Sequence, residues 1–173
     1  MQTVGIVGLG ALGVLFGERL LSGGADVSII ADEARVQRYR RDGVLCNGEP
    51  VAFAYKTPAQ AEPVDLLICA TKESGLRGAM DTAEGFIGEN TLILSVLNGV
   101  SSEETIAARF GEKNVLYCVA QGMDAVKTGG ALTYAHAGVI VLGEKEPGAI
   151  SPRVQQVADF LNAHGVTAQP VGD

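Results

Sequence analysis

Short apolar runs recur along the chain, and most are followed by a stretch whose apolar residues are three or four positions apart. The first run, Val4 to Val7, precedes a segment with this helical spacing that ends at Gly23 and Gly24. A second run, residues 27–30, precedes a predicted helix over Glu33 to Asp42, which Gly43 ends. Runs with almost no polar alternation are typical of parallel strands covered on both faces. The pattern therefore predicts strands that alternate with helices.

The same pattern continues to the end of the sequence. Further strands are predicted at residues 65–70, 91–96, 115–119 and 166–169, and further helices at residues 73–86, 101–110 and 152–163. Ser101, Ser102, Glu103 and Glu104 supply N-cap candidates for the second of these helices.

Two segments interrupt the alternation of strands and helices. The Asn47-Gly48 pair within residues 44–53 favours a hairpin turn, and the glycine-rich residues 121–143 indicate strand pairs joined by turns. Together with the alternating elements, these segments predict an α/β fold with a doubly wound, mainly parallel sheet, flanking helices and a hairpin insertion.

The turn after the first strand carries a glycine motif. Its residues are Gly8, Leu9, Gly10, Ala11, Leu12 and Gly13, a G-x-G-x-x-G between a strand and a helix. In this context the first glycine permits a tight turn, the second lets a pyrophosphate approach the backbone, and the third lets the helix pack on the strand. The helix N-terminus favours phosphate groups. The motif predicts a dinucleotide site of the Rossmann type; a glycine-rich turn in another α/β protein is the alternative.

Three polar residues follow predicted strands at the edge where such a sheet binds ligands. Asp32 lies about twenty residues beyond the last glycine, where an acid that binds the adenosine ribose is expected. Lys72 and Asn98 follow the third and fourth strands. Lys72 is expected to contact a phosphate or ribose, and Asn98 a nicotinamide ribose or a substrate hydroxyl. The alternative for each is a solvated loop residue.

The composition of the chain excludes several classes of protein. Although 47% of the 173 residues are hydrophobic, no apolar run approaches the roughly twenty residues of a membrane span. A formal charge of −7 argues against a nucleic-acid partner. The basic run over residues 35–41 is interpreted as a solvated helix face, with a phosphate of the cofactor as the alternative ligand. With no basic leader, we expect a cytoplasmic protein without a membrane partner.

The cysteines and histidines give no sign of a metal site. Cys46, Cys69 and Cys118 are scattered and form no C-x-x-C pair, so we expect buried, reduced thiols. His136 and His164 have no carboxylate at a meaningful spacing, and we expect structural roles for both.

The chain resembles the N-terminal domain of the ketopantoate reductase family. The resemblance rests on the glycine motif, Ala70-Thr71-Lys72, Asn98-Gly99-Val100, and His136-Ala137-Gly138 before Leu142-Gly143-Glu144. It implies the NADPH-dependent reduction of 2-dehydropantoate, a small 2-oxo acid, to pantoate in pantothenate synthesis. It also implies cofactor-binding roles for residues 8–13, Lys72, Asn98 and, more weakly, Ala125. The resemblance further places Asn98 beside the substrate.

The chain departs from the usual pattern of the family at three positions. The family usually has Arg near the second strand tip, Gln three residues after the Lys, and Gln before the Asn, where this chain has Ala31, Gly75 and Leu97. Ala31 bears on the preference for NADP(H), so NAD(H) is retained as an alternative cofactor.

The resemblance also implies how the domains are organised. Residues 1–173 are expected to form the dinucleotide-binding domain, and the helical domain that carries the catalytic Lys and a homodimer interface is expected beyond Asp173. The catalytic residue is therefore unassigned, and residues 1–173 alone are expected to be inactive. Two alternatives are another two-domain nicotinamide reductase of small 2-oxo or β-hydroxy acids, and a non-catalytic dinucleotide-binding module.

Overall fold

The computed structural model describes residues 1–172, in which twelve strands and five α-helices form two sheets and their covering layers. The strands are β1 Thr3–Val7, β2 Asp26–Ile30, β3 Leu45–Cys46, β4 Glu49–Pro50, β5 Ala54–Lys56, β6 Leu66–Cys69, β7 Leu92–Ser95, β8 Val115–Met123, β9 Val126–Thr128, β10 Ala131–Thr133, β11 Ala137–Gly143 and β12 Ala168–Pro170. The helices are α1 Ala11–Ser22, α2 Glu33–Asp42, α3 Leu76–Ala83, α4 Ser101–Phe110 and α5 Pro152–Ala163.

Eight strands form the main sheet in the order β12-β11-β8-β7-β6-β1-β2-β5. From β8 to β5 every neighbouring pair is parallel, whereas β11 pairs with β8 in the antiparallel sense. In this register Val7 lies beside Cys69, and Cys69 lies beside Ser95. The carboxyl ends of β1, β6 and β7 therefore meet at one edge of the sheet. The prediction of a doubly wound, mainly parallel sheet is confirmed.

Helices cover both faces of this sheet, and the side chains of β6 show how. Leu66 and Ile68 pack into one hydrophobic core, whereas Leu67 and Cys69 pack into the other, because successive side chains of a strand point to opposite faces. The first core includes buried residues of α1 and α5, and the second includes buried residues of α3 and α4. All three cysteines are buried and unpaired, as the sequence predicts.

A second sheet of four short strands lies beside the main one, in the order β4-β3-β10-β9. The predicted hairpin forms its first half: Asn47 and Gly48 both take positive φ, and β3 and β4 pair on either side of them. Beyond β8 the chain folds back, so that β10 pairs with β3 and Gly130 accepts a hydrogen bond from the Leu45 amide. The hairpin insertion is therefore confirmed, and it is extended by a segment some eighty residues away.

Two local predictions were wrong, and one strand was missed. The helix expected over residues 73–86 is divided into α3 and two flanking 3-10 turns, in a segment with three glycines that weaken helical structure. The edge strand β5 was not anticipated, because its three residues are stabilised by pairing with β2. Val100 occupies the N-cap of α4 without a side-chain bond, so neither serine caps this helix.

No helix within residues 1–172 combines the length and apolar character that crossing a membrane requires.

A hydrogen-bonded chain of polar groups is buried beneath the end of β7. The Ser95 hydroxyl donates to Ser102, and the Ser102 hydroxyl donates to the carboxyl group of Glu103, whose residue is 1% exposed. Burial raises the pKa of Glu103, although hydrogen bonds from the backbone amides of Glu103 and Cys118 and from the Ser102 hydroxyl oppose this shift. The fold therefore favours the neutral acid.

We expect this carboxyl group to reduce stability as the pH rises. Its pKa is higher in the folded than in the unfolded state. The protonated carboxyl group therefore contributes its full share of folding stability below the unfolded-state pKa, and this contribution is lost as the pH rises through the folded-state pKa. Glu103→Gln removes the titration, so the variant should gain about 1.4 kcal/mol over the wild type for each pH unit between the two values. Urea unfolding between pH 4 and pH 8 measures this difference. Glu62→Gln, at an exposed position in the loop before β6, is the control, and equal pH profiles for wild type and Glu103→Gln would refute the assignment.

Candidate functional site

The turn between β1 and α1 excludes side chains at two positions. Gly8 has φ +94°, and a Cβ atom there would lie 2.6 Å from the Thr71 amide nitrogen. A Cβ atom on Gly13 would collide with the carbonyl oxygen of Gly8. Leu9 is buried in the core, so it anchors the turn and leaves only its backbone beside any ligand. Gly8 is therefore required for the turn to lie this close to the residues after β6, and Gly13 is required for α1 to pack on the end of β1.

Gly10 is a different case, because the fold itself does not require a glycine there. Its φ of −77° and ψ of −166° suit any residue, and a Cβ atom would meet only the Ala70 carbonyl oxygen, at 3.6 Å. Gly10 is the N-cap of α1, and no side chain caps this helix. The first amides of α1 thus lie beside open space, an arrangement suited to an anion.

Three adjoining cavities run along the carboxyl ends of the parallel strands, and we call them together the strand-end groove. The first, about 360 Å³, lies between Asp32 at the end of β2 and Gly75 before α3. The second, about 520 Å³, lies between α2 and the glycine turn, and the third, about 410 Å³, extends to Asn98. Residues Gly8, Leu9 and Thr71 line both the first and second cavities, and Gly10 and Lys72 line both the second and third. The groove is therefore continuous around the glycine turn.

Asp32 lies in the groove but already has two partners. One carboxylate oxygen accepts a hydrogen bond from the Arg35 backbone amide at 2.8 Å, and this hydrogen bond caps α2. The other carboxylate oxygen pairs with the Arg35 guanidinium group. The hydrogen bond from the Arg35 amide is the main reason that the pKa of Asp32 is lowered. The carboxylate at the tip of β2 is therefore ionised and engaged by Arg35.

The structure brings together all but one of the residues that the sequence indicated. Lys72 and Asn98 are exposed and line the third cavity with Gly10, Ala11 and Leu12. Ala125 lies apart from them: it follows β8, is half-buried against the core and is not among the residues that line the three cavities. The third cavity therefore brings one basic and one amide side chain to the glycine turn.

Sequence reasoning missed several residues of the second cavity, above all Lys127 on β9 and Arg38 on α2. Arg38 belongs to the basic run that was interpreted as a solvated helix face, with a phosphate of the cofactor as the alternative ligand. Lys127 offered no signal, because its position depends on the pairing of β10 with β3. A helical wheel of α2 could have found Arg38, since it lies one turn after Arg35.

His136 has a carboxylate partner after all. Its Nδ1 atom lies 3.0 Å from a carboxylate oxygen of Asp124, and the amides of residues 135 and 136 donate to the other oxygen. The antiparallel pairing of β8 and β11 brings together residues twelve positions apart, which the spacing along the chain does not suggest. These hydrogen bonds lower the pKa of Asp124 to about 2. His164 stacks on Phe160 and has a structural role, as predicted.

Within residues 1–172, no group of three or more His, Cys, Asp and Glu side chains is arranged to hold a metal ion. The lining of the strand-end groove includes the first residues of α1, basic side chains and the Asn98 amide, groups that suit an elongated phosphorylated ligand.

Comparison with known proteins identifies relatives over nearly the whole chain. The family model described as ketopantoate reductase PanE/ApbA matches residues 4–147. A 2-dehydropantoate 2-reductase from Streptococcus pyogenes is 28% identical over 168 residues, which are 94% of this chain and 54% of the relative. The chain thus spans about half the length of the curated relatives it matches.

Solved structures of related enzymes also superpose on nearly the whole chain. The 2-dehydropantoate 2-reductase from Geobacter metallireducens superposes with a TM-score of 0.84 at 25% identity, covering 99% of this chain and 58% of that one. A D-mandelate dehydrogenase solved with NADH gives a TM-score of 0.83 at 25% identity, covering 99% of this chain and 56% of that one.

The geometry of the glycine turn predicts that alanine affects stability much more at Gly13 than at Gly10. Gly13→Ala should lower the free energy of unfolding by about 1–3 kcal/mol or more, because the added methyl group forces α1 away from the β1 turn. Gly10→Ala should change it by less than about 1 kcal/mol, since the methyl group enters open space. Urea unfolding of the two variants measures both values. Equal destabilisation would mean that the close packing at Gly13 is misassigned.

Proposed function

Because the chain belongs to the ketopantoate reductase family, we propose that it provides the dinucleotide-binding domain for the reduction of 2-dehydropantoate to pantoate by NADPH. Residues 4–147 match the family model, and the described structure contains a continuous groove at the strand ends where such a cofactor binds. When bound, NADPH would supply the hydride for the carbonyl carbon of the 2-oxo acid.

The observation that carries this proposal is the space beside Gly10. The fold requires glycine at positions 8 and 13 but leaves Gly10, between them, free to carry a side chain. A ligand that occupies the space beside Gly10 best explains why this residue is also a glycine. The uncapped amides of α1 would donate to the pyrophosphate, and residues 9, 11 and 12 would contribute through their backbone. Lys72, which lines the groove on both sides of Gly10, would add a charge-assisted contact to a phosphate or ribose.

Asn98 is proposed to contact both the cofactor and the substrate. Its exposed side chain lines the third cavity, on the side of the glycine turn away from Asp32. An amide both donates and accepts hydrogen bonds, so it can orient a nicotinamide ribose while it holds a substrate hydroxyl or carbonyl. A contribution from Ala125 rests on the family resemblance alone.

We name NADP(H) as the first choice of cofactor and retain NAD(H). A free carboxylate at the tip of β2 would accept the ribose 2′-hydroxyl of NADH and repel a 2′-phosphate. In this chain Asp32 is paired with Arg35, which weakens that repulsion and favours NADP(H). Position 31 holds Ala and supplies no positive charge for a 2′-phosphate, which favours NAD(H). The D-mandelate dehydrogenase relative is solved with NADH, which supports keeping the second cofactor.

The proton donor of the reaction is proposed to lie outside residues 1–173. The family resemblance assigns that role to a Lys in a helical domain, which would also form the homodimer interface. The half of the relatives' length that this chain does not span could accommodate such a domain. A reductase of another small 2-oxo acid is the second candidate, because a D-mandelate dehydrogenase shares this fold and Gly75 and Leu97 replace two glutamines of the family pattern. A non-catalytic dinucleotide-binding module is the remaining alternative.

The space at Gly10 gives the first test of this function. Gly10→Val should remove measurable NADPH and NADH binding in calorimetry, because the side chain fills the space proposed for the pyrophosphate. It should retain the fold, at a capping cost of about 1 kcal/mol. Gly148→Val is the matched control, since a Cβ atom at Gly148 meets nothing within 4 Å and the residue lies outside the groove. Unchanged cofactor affinity in folded Gly10→Val would reject the dinucleotide site.

The proposed division into domains gives the second test. Residues 1–173 should bind NADPH but reduce 2-dehydropantoate at least about 100-fold more slowly than a full-length relative. Loss of general acid catalysis alone costs about 10² to 10⁴-fold in rate. A steady-state assay that follows NADPH absorbance measures the rate. Turnover comparable to that of the relative would place the proton donor within residues 1–173.

A further inference from the structure

The second cavity of the strand-end groove concentrates positive charge on an acidic chain. Its lining includes Arg35, Arg38, Lys72 and Lys127, and Asp42 is the one acidic residue among the lining residues. The whole chain carries a formal charge of −7. Four of its thirteen Lys and Arg residues therefore surround one cavity beside the glycine turn.

These basic residues come from separate parts of the fold. Arg35 and Arg38 lie three positions apart on α2, and therefore on one face of that helix. Lys127 lies on β9, which β10 joins to the β3 hairpin beside the end of α2. The second sheet thus carries Lys127 to the cavity from a position 89 residues after Arg38.

Arg38 and Lys127 both line this cavity, and the charge of Arg38 also contributes to the lowered pKa values of Asp32 and Asp42. Within residues 1–172, neither has a carboxylate oxygen within 4.0 Å, whereas Arg35 pairs with Asp32 and Asp42 pairs with Arg41. Lys127 is half-buried, and its pKa is lowered first by burial and then by the charge of Arg38. Two cations that disfavour each other in this way would both be stabilised by an anion between them.

The cavity adjoins the place proposed for the adenosine ribose. Arg35 and Tyr39 line both this cavity and the first one, where Asp32 marks the ribose-binding end of β2. A phosphate monoester at the ribose 2′ position carries about −1.5 to −2 charges at pH 7. Ala31, at the position where the family usually has an Arg, is buried and supplies no charge for it.

We propose that Arg38 and Lys127 form a clamp for the 2′-phosphate of NADP(H) and thereby set the preference for NADPH over NADH. This inference rests on the proposed dinucleotide site and adds to it the residues that discriminate between the two cofactors. Lys72 lines the second cavity as well as the third, where the groove continues toward Asn98, so we assign it to parts of the ligand that both cofactors share.

Calorimetry with four ligands tests the clamp: NADPH, NADH, adenosine 2′,5′-bisphosphate and its 3′,5′ isomer. The wild type should bind the 2′,5′ isomer more tightly than the 3′,5′ isomer, which has the same charge. Arg38→Ala and Lys127→Met should each weaken NADPH and the 2′,5′ isomer about 10-fold or more, and NADH less than about twofold. Methionine keeps the apolar stem of the half-buried lysine, so the fold should be retained.

Two further variants serve as controls. Arg40→Ala removes a charge from the same helix without touching the cavity, so it should leave the ratio of NADPH to NADH affinity unchanged. Lys72→Ala should weaken both cofactors alike. If both cofactors bind the wild type but neither clamp variant changes their affinity ratio, the clamp is refuted and the proposed function stands. If the wild type binds neither cofactor, the proposed function is refuted together with the clamp.

Discussion

The close packing of α1 against the end of β1 is the constraint on which the rest of this structure depends. At Gly13 this packing admits no side chain, because an added Cβ atom would collide with the Gly8 carbonyl oxygen. Gly8 admits none either, because the turn lies against the Thr71 backbone after β6. This close packing leaves the uncapped N-terminus of α1 at the carboxyl ends of the parallel strands. The same turn leaves the space beside Gly10 open, and the groove forms around it.

The second sheet completes the groove on the side of α2. Its strands are two or three residues long and would not be stable alone, so their position depends on pairing between the β3 hairpin and the returning segment β9–β10. That pairing brings Lys127 to the cavity that Arg35, Arg38 and Tyr39 of α2 also line. Lys127, Gly129 and Gly130 of the returning segment line the second cavity, so the second sheet contributes to one wall of the strand-end groove.

The sequence predicts elements well where local chemistry decides them. The predicted bounds of α2 and α5 agree with the structure, in which Asp32 and Ser151 cap the two helices. The buried strands β1, β6 and β7 follow from apolar runs that parallel strands require. The glycine motif likewise predicts the turn, since its steric demands are local. Lys72 and Asn98 could be placed at the groove because carboxyl ends of parallel strands share one edge.

What the sequence could not predict depends on contacts between distant segments. Strand β5 exists because β2 offers an unpaired edge, and the partnership of His136 with Asp124 depends on the register of β11 against β8. Asp32 illustrates a choice between two local roles, since the same carboxylate can cap α2 or face a ribose, and the structure shows the cap.

The measurement that tests the dinucleotide site most directly is an amide NMR titration of residues 1–173 with NADPH. The account predicts the largest shifts at Gly10, Ala11 and Leu12, and saturable binding with shifts confined to other regions would contradict it.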